Sequence, residues 1–254
     1  MKITSIALLV ISVVIFYSCS SDSKKEKVND DTTSIEVAKP SQKTTAFRYE
    51  KQHNSYPDAI LELHHPLENQ VFDEGDVAFE FNIKNYPFEH GHKGFQLKMI
   101  INGNDPIGYN SPIFKENFDT GTYKVLAFLV DDEGMALKEY GNYVERDFVV
   151  GKSKPFPESD DPYIGLNKPE NGQVYEAGEE VLVDFVLVGG DLQEDSLQIM
   201  VKAGEEEFTT HELGMVNIAN LPTGTHQVSV ALVDANGKEL PGIFSKTIRE
   251  IEVK

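Results

Sequence analysis

The sequence predicts an all-β protein with two tandem immunoglobulin-like antiparallel β-sandwiches. Apolar and polar residues alternate along short segments, as at Val77, Phe79, Phe81 and Ile83, which is typical of strands with one dry face. Clusters of Gly, Asn, Asp and Pro separate these segments at intervals of about 8–12 residues. No segment keeps a helical period, and the whole pattern occurs twice along the chain.

The second half of the chain repeats the first at an offset of 103 residues. The stretch from Pro66 to Gly75 aligns with Pro169 to Gly178, and Gly121 to Asp131 aligns with Gly224 to Asp234. Separate blocks that agree at one offset indicate a duplication. Each copy has about 92 residues and some seven strands, which fits one immunoglobulin-type sandwich.

Each copy carries a polar aromatic residue just before its most apolar strand, Tyr123 in the first and His226 in the second. A tyrosine corner places a hydrogen-bonding aromatic side chain there. The turn that follows begins at Asp131 in the first copy and at Asp234 in the second. The chain has one Cys and no Trp, so the sandwiches are predicted to be free of disulfides and held by aliphatic and Phe packing.

The N-terminus predicts a membrane anchor. Residues 1–18 combine a single Lys with an apolar run, and Cys19 stands at the end of that run, an arrangement that indicates a secretory signal peptide. The junction resembles the lipobox of bacterial lipoproteins in a looser form similar to that of Bacteroidota. We therefore expect lipid attachment at Cys19 and an outer-membrane lipoprotein of the cell envelope, on its periplasmic or surface face. A plain secretory signal and an uncleaved anchor helix are the alternatives.

The remaining boundaries follow from composition. Residues 19–58 mix seven basic and seven acidic side chains with few large apolar ones, so they predict a disordered tether. The sandwiches are expected at 59–151 and 162–254, joined by a Pro-containing linker at 152–161. Their formal charges are −9 and −10, and the whole chain carries −19.

Composition and motifs exclude several classes of function. The acidic balance argues against nucleic-acid binding, which needs clustered Lys and Arg. The chain has no Gly-x-Ser-x-Gly elbow and no phosphate-binding loop, and no motif sets a nucleophile beside a base. We therefore expect neither an enzyme nor a bound cofactor.

Two places could hold a metal ion. His90 and His92 are spaced by two residues, with Glu89 beside them, so in an extended chain both imidazoles would face one side. The acidic turns at Asp131 and Asp234 could bind calcium, although an Asp before a Gly turn usually caps its own backbone. Exposed loop histidines without metal are the simpler interpretation of the first place.

Sugar binding would use exposed aromatic rings. Six aromatic residues fall outside the clear strand patterns and could line a recognition edge: Tyr86, Phe88, Tyr109, Phe114, Tyr140 and Tyr143. Isolated aromatic residues are also common on the surfaces of sandwiches.

The folded part resembles a Bacteroidota family of two-domain lipoproteins that often carries the name "phosphopeptide-binding protein". The similar stretches are Tyr56–Leu61, Phe81–Tyr86, Asn102–Pro106, Leu126–Leu129 and Val181–Leu187. The resemblance implies tandem immunoglobulin-like domains and an envelope location.

The resemblance does not carry over a binding site. Where the family has a His-x-His pair, this chain has Gln96 and Lys98. Phosphopeptide recognition needs an Arg cluster, whereas the second copy contains Arg249 alone. We therefore expect a non-catalytic binding or adaptor module with a protein or glycan partner. A small-ligand or copper- or divalent-metal-handling lipoprotein and a glycan-binding accessory module are the alternatives.

Overall fold

A computed structural model describes residues 44–53, 55–88 and 96–254, and every regular element in these ranges is a β-strand. In chain order the strands are β1 (Ala46–Glu50), β2 (Ile60–His65), β3 (Gln70–Phe72), β4 (Gly75–Lys84), β5 (Leu97–Ile101), β6 (Ile107–Tyr109), β7 (Ile113–Phe118), β8 (Gly121–Leu129), β9 (Tyr143–Val150), β10 (Tyr163–Lys168), β11 (Val174–Tyr175), β12 (Val181–Val188), β13 (Gln198–Ala203), β14 (Glu206–Thr210), β15 (Met215–Ala219), β16 (Gly224–Val233) and β17 (Lys246–Val253). The predicted all-β class is confirmed.

The strands form two β-sandwiches of two sheets each. In the first sandwich a sheet of order β2-β4-β7 faces one of order β3-β9-β8-β5-β6. In the second, β1-β15-β12-β10 faces β11-β17-β16-β13-β14. The alternating residues of the sequence pattern form the two cores, with Phe79 and Phe148 fully buried in one and Phe185 and Ile199 in the other.

Both copies contain the predicted hydrogen-bonding corner. The Tyr123 hydroxyl donates to the Asp119 carbonyl oxygen at 3.0 Å. The His226 Nε2 atom lies 2.6 Å from the carbonyl oxygen of Pro222, four residues upstream as in the first copy. Since a carbonyl only accepts, this imidazole nitrogen carries the proton. A phenol and an imidazole thus perform the same task, which confirms the corner prediction and the duplication.

The prediction of a disordered tether over residues 19–58 is wrong for its final part. Residues Ala46–Glu50 form strand β1, which pairs antiparallel with β15 of the second sandwich. A segment that precedes the first sandwich thus supplies an edge strand of the second. Composition missed this strand because the tether as a whole is charged, and the partner strand lies far away in the sequence.

Side chains fix β1 in its place. Phe47 stacks on Phe208 with ring centroids 6.0 Å apart, and Arg48 forms an ion pair with Glu180 at 2.9 Å. The Tyr49 ring passes so close to Gly214 that an added Cβ there would lie 2.6 Å from the ring. Only a glycine therefore accommodates Tyr49 at this point.

The predicted sandwich limits enclose β2–β9 and β10–β17, and the predicted linker 152–161 contains no strand. The linker nevertheless packs on its surroundings. The Thr122 hydroxyl donates to the carbonyl of Lys154, and Phe156 meets Phe244 edge-on with centroids 6.0 Å apart.

Candidate functional site

The predicted lipid-attachment and metal residues lie outside the described part of the chain. These are Cys19 and the group of Glu89, His90 and His92. Within residues 44–53, 55–88 and 96–254, no helix is long and apolar enough to cross a membrane. In the same ranges, no three His, Cys, Asp or Glu side chains are grouped so that they could hold a metal ion.

The acidic turns considered for calcium use their carboxylates on their own backbone. The Asp131 Oδ1 atom accepts from the amides of Glu133 and Met135 at 3.0 and 2.9 Å. In the second copy, Asp234 Oδ1 accepts from the amides of Asn236 and Lys238. These two backbone hydrogen bonds lower the pKa of Asp234 below its usual range. The capping interpretation of both turns is therefore confirmed.

Most of the aromatic residues proposed for a recognition edge are packed rather than displayed. Tyr86, Phe88, Tyr109 and Phe114 lie against the core of the first sandwich. Burial raises the pKa of the Tyr86 phenol, whose hydroxyl donates to the Val130 carbonyl. Tyr140 is 97% exposed. These residues therefore do not form the continuous exposed aromatic surface that sugar stacking requires.

The largest unpredicted feature is an interface between the two sandwiches. It consists of Ile100, Leu126 and Phe128 from the first sandwich and Val186 and Val188 from the second, all buried. These side chains point away from the cores of their own sandwiches. The second half of β8 and nearly all of β12 are therefore buried on both faces, whereas an alternating pattern predicts one dry face only.

A glycine allows the two sandwiches to approach. At Gly165 on β10, an added Cβ would lie 2.2 Å from Cδ2 of Leu126 and 3.2 Å from Cδ1 of Ile100. Both of those side chains are themselves buried in the interface. The missing side chain thus leaves the space that the first sandwich fills.

A buried carboxylate lies in the same interface. Asp184 of β12 has no exposed surface, and its Oδ2 atom accepts from the Ala136 amide at 2.8 Å and from Asn167 Nδ2 at 2.7 Å. Its Oδ1 atom pairs with the Lys138 ammonium, whose side chain is 9% exposed. The first sandwich therefore supplies the ammonium that neutralises a carboxylate of the second sandwich. It also supplies one backbone amide that donates a hydrogen bond to that carboxylate.

Further polar contacts surround this network. Lys98 donates to Asn167 Oδ1 at 2.9 Å, and its burial lowers the pKa of the ammonium. Arg249 of β17 forms an ion pair with Asp105 at 2.6 Å and donates to the Gly103 carbonyl at 3.0 Å. Apolar packing, a buried ion pair and these contacts together couple the two sandwiches.

Sequence reasoning missed this interface although two signals were present. The runs Val125–Val130 and Val181–Val188 are apolar at nearly every position, as expected for strands covered on both faces. Asp184 interrupts the second run in its middle. A carboxylate in such a run indicates a partner on the covered face, because an unpaired buried charge is very costly.

No protein-family model and no curated protein matches this chain. Solved structures with a similar fold include fibronectin(III)-like modules of CbhA from Clostridium thermocellum (15% identity, 77% of this chain and 94% of that one, TM-score 0.30). Others are a putative membrane-anchored protein from Corynebacterium diphtheriae (13%, 77% and 58%, TM-score 0.26) and the insect immune protein hemolin (13%, 80% and 49%, TM-score 0.24). At these identities the similarity concerns the fold alone.

Proposed function

We propose that this protein is a non-catalytic binding or adaptor module with a protein or glycan as its partner. Lipid attached to Cys19 anchors it in a bacterial cell envelope. The observation that carries the proposal is the buried interface between the sandwiches, centred on Asp184 and Lys138. Because the side chains of this interface are buried, it holds the two sandwiches in one arrangement. A partner then binds a preformed surface, and less conformational entropy is lost on binding.

Two further observations support a binding role in the envelope. The position of Cys19 directly after an apolar N-terminal run suits lipidation, and multiple acyl chains give stable anchoring. The ionisable side chains of the interface form ion pairs or hydrogen bonds within it: Asp184 with Lys138, Arg249 with Asp105, and Lys98 with the side-chain amide of Asn167. These contacts give them a structural role. The membrane contact would come from the lipid, and the partner contact from the sandwich surfaces.

Mass spectrometry of the protein from its native cells tests the anchor. We expect an N-terminal Cys19 carrying fatty acyl chains, and a Cys19→Ser variant that leaves the membrane fraction. An unmodified thiol at this position would contradict the proposal.

Crosslinking in intact cells tests the binding role. We expect one protein or glycan to be captured by the wild-type chain, with a lower yield from the Cys19→Ser variant because that variant is no longer at the membrane. Stoichiometric copper or zinc binding that is lost in the His90→Ala/His92→Ala double variant would instead favour a metal-handling protein.

A further inference from the structure

The two copies differ at one sheet edge. In the second sandwich, β15 has β12 on one side and β1 on the other. In the first sandwich, the counterpart strand β7 has β4 on one side, and no strand of the described residues pairs with its other side. We call this unpaired side of β7, residues Ile113–Phe118, the open edge.

The register shows which residues correspond. Val77 pairs with Glu116 in the first sandwich, and its repeat counterpart Val181 pairs with Ile218 in the second. Lys115 therefore lies where β15 has Asn217, the residue opposite Arg48 of β1. A strand added to the open edge in the same register would have its central residue opposite Lys115.

The open edge offers unused backbone groups. The Phe81 amide donates to the Pro112 carbonyl, so residues 112, 114 and 116 direct their backbone toward β4 and the residues between them direct theirs outward. The Ser111 hydroxyl bonds to both the amide and the carbonyl of Ile113. The outward groups of Lys115 and Asn117 have no such partner among the described residues.

The side chains around the open edge suit a strand with apolar residues at alternate positions. Ile107 occupies the position of Phe208, the residue on which Phe47 stacks in the second sandwich, and it is 42% exposed. Ile113 on the outer face is 63% exposed. On the same outer face of β7, Lys115 is exposed and has no carboxylate within ion-pair distance in the described part of the chain.

We propose that the open edge binds an extended segment of a partner protein by antiparallel strand addition. The segment carries large apolar residues opposite Phe114 and Glu116 and a carboxylate opposite Lys115. Main-chain hydrogen bonds to Lys115 and Asn117 supply affinity, and the alternate side chains supply specificity. The inference rests on the proposed function as a binding module and specifies the kind of partner and the place where it binds.

A second copy of this chain fits the open edge less well. Two open edges paired antiparallel about Lys115, the central outward-facing residue of 113, 115 and 117, would bring this lysine opposite its own copy, and like charges directly opposite destabilise a strand pair. Lysine on an exposed edge strand also opposes self-association in natural sheets. A partner with a carboxylate at this position meets neither obstacle.

A labelled peptide tests the proposal. The probe has the sequence of residues 44–50, of which Ala46–Glu50 pair with the equivalent edge in the second sandwich, and carries Arg48→Glu. Its binding to the full chain in mild detergent is followed by fluorescence anisotropy. We expect the Arg48→Glu peptide to bind about three- to tenfold more tightly than the unaltered peptide, because an attractive cross-strand pair replaces a repulsive one.

Two protein variants locate the binding. In Lys115→Glu the preference between the two peptides should invert, a result that a merely structural role of Lys115 would not produce. Asn117→Pro removes an outward amide of the open edge and should abolish binding, whereas the matched Asn117→Ala variant loses the same contact with Asp76 and should still bind.

Several results would overturn the inference. These are the absence of binding by either peptide, a preference independent of residue 115, or equal effects of the Pro and Ala variants. Self-association that Asn117→Pro removes would assign the open edge to a second copy instead. Each of these results leaves the lipidation and crosslinking tests of the proposed function unaffected, because those tests depend on Cys19 and on whichever surface binds.

Discussion

The substitution Asp184→Ala tests the interface between the sandwiches most directly. It removes the carboxylate that accepts from the Ala136 amide, Asn167 Nδ2 and the Lys138 ammonium. A buried donor left without its acceptor costs about 1–3 kcal/mol, and breaking a buried ion pair by deleting one partner costs about 3–5 kcal/mol. Lys138 also contacts the Ala136 carbonyl at 3.3 Å and retains that interaction. We therefore expect a loss of about 3–5 kcal/mol in the free energy of unfolding.

Urea denaturation of the full chain measures this loss, and the matched control is Glu239→Ala. Glu239 forms an exposed ion pair with Lys246, so its removal should cost less than about 1 kcal/mol. Because Asp184 joins the two sandwiches, its loss should also split a shared unfolding transition into two. A cost below about 1 kcal/mol for Asp184→Ala, with one transition retained, would refute the assignment of the network as the main coupling between the sandwiches.

Three further predictions concern the same fold. In Gly165→Leu the new side chain collides with Leu126, so the sandwiches should separate, which small-angle X-ray scattering would show as an increased radius of gyration; an unchanged radius would contradict the close approach. Phe47→Ala removes a half-buried ring from Phe208 and should lower the free energy of unfolding by about 1–2 kcal/mol, whereas no loss would show that β1 does not pair stably. The pKa of Asp234 is lowered in the folded state, so its carboxylate stabilises the fold above the unfolded pKa, and this effect is lost as the pH falls through the folded pKa. Asp234→Ala should therefore melt at a lower temperature than the wild type at pH 7, and the difference should shrink steadily as the pH is lowered; a difference that does not depend on pH would contradict the assignment.

The features that the sequence predicted correctly depend on local chemistry. The corner at Tyr123 and the turn caps at Asp131 and Asp234 each involve hydrogen bonds to atoms within four residues. Because the chain is duplicated, each of these residue patterns occurs twice. Its presence in one copy supports the same structural prediction in the other. The strand pattern likewise reports which face of each strand is dry, and the two cores follow from it.

The features that were missed depend on contacts between distant segments. Strand β1 pairs with residues far along the chain, and its own composition does not distinguish it from the charged segment around it. In the sequence, the burial of β8 and β12 on both faces shows only as a lack of polar residues. An analysis that looks for alternating apolar and polar residues overlooks this lack. Asp184 stands out only once its apolar surroundings are known to be covered on both sides.

The divergence between the two copies bears on the open edge. Duplication gives both sandwiches the same sheet order, and an uncovered edge exposes backbone groups that promote aggregation. The second copy avoids this with β1, held by Phe47, Arg48 and Tyr49. The first copy has Lys115 and Ser111 at the corresponding edge. Lys115 discourages pairing with other copies, while the outward backbone groups of Lys115 and Asn117 have no partner among the described residues. Lysine at this edge therefore acts in two ways, because it opposes pairing with a second copy and favours a partner strand that carries a carboxylate opposite Lys115.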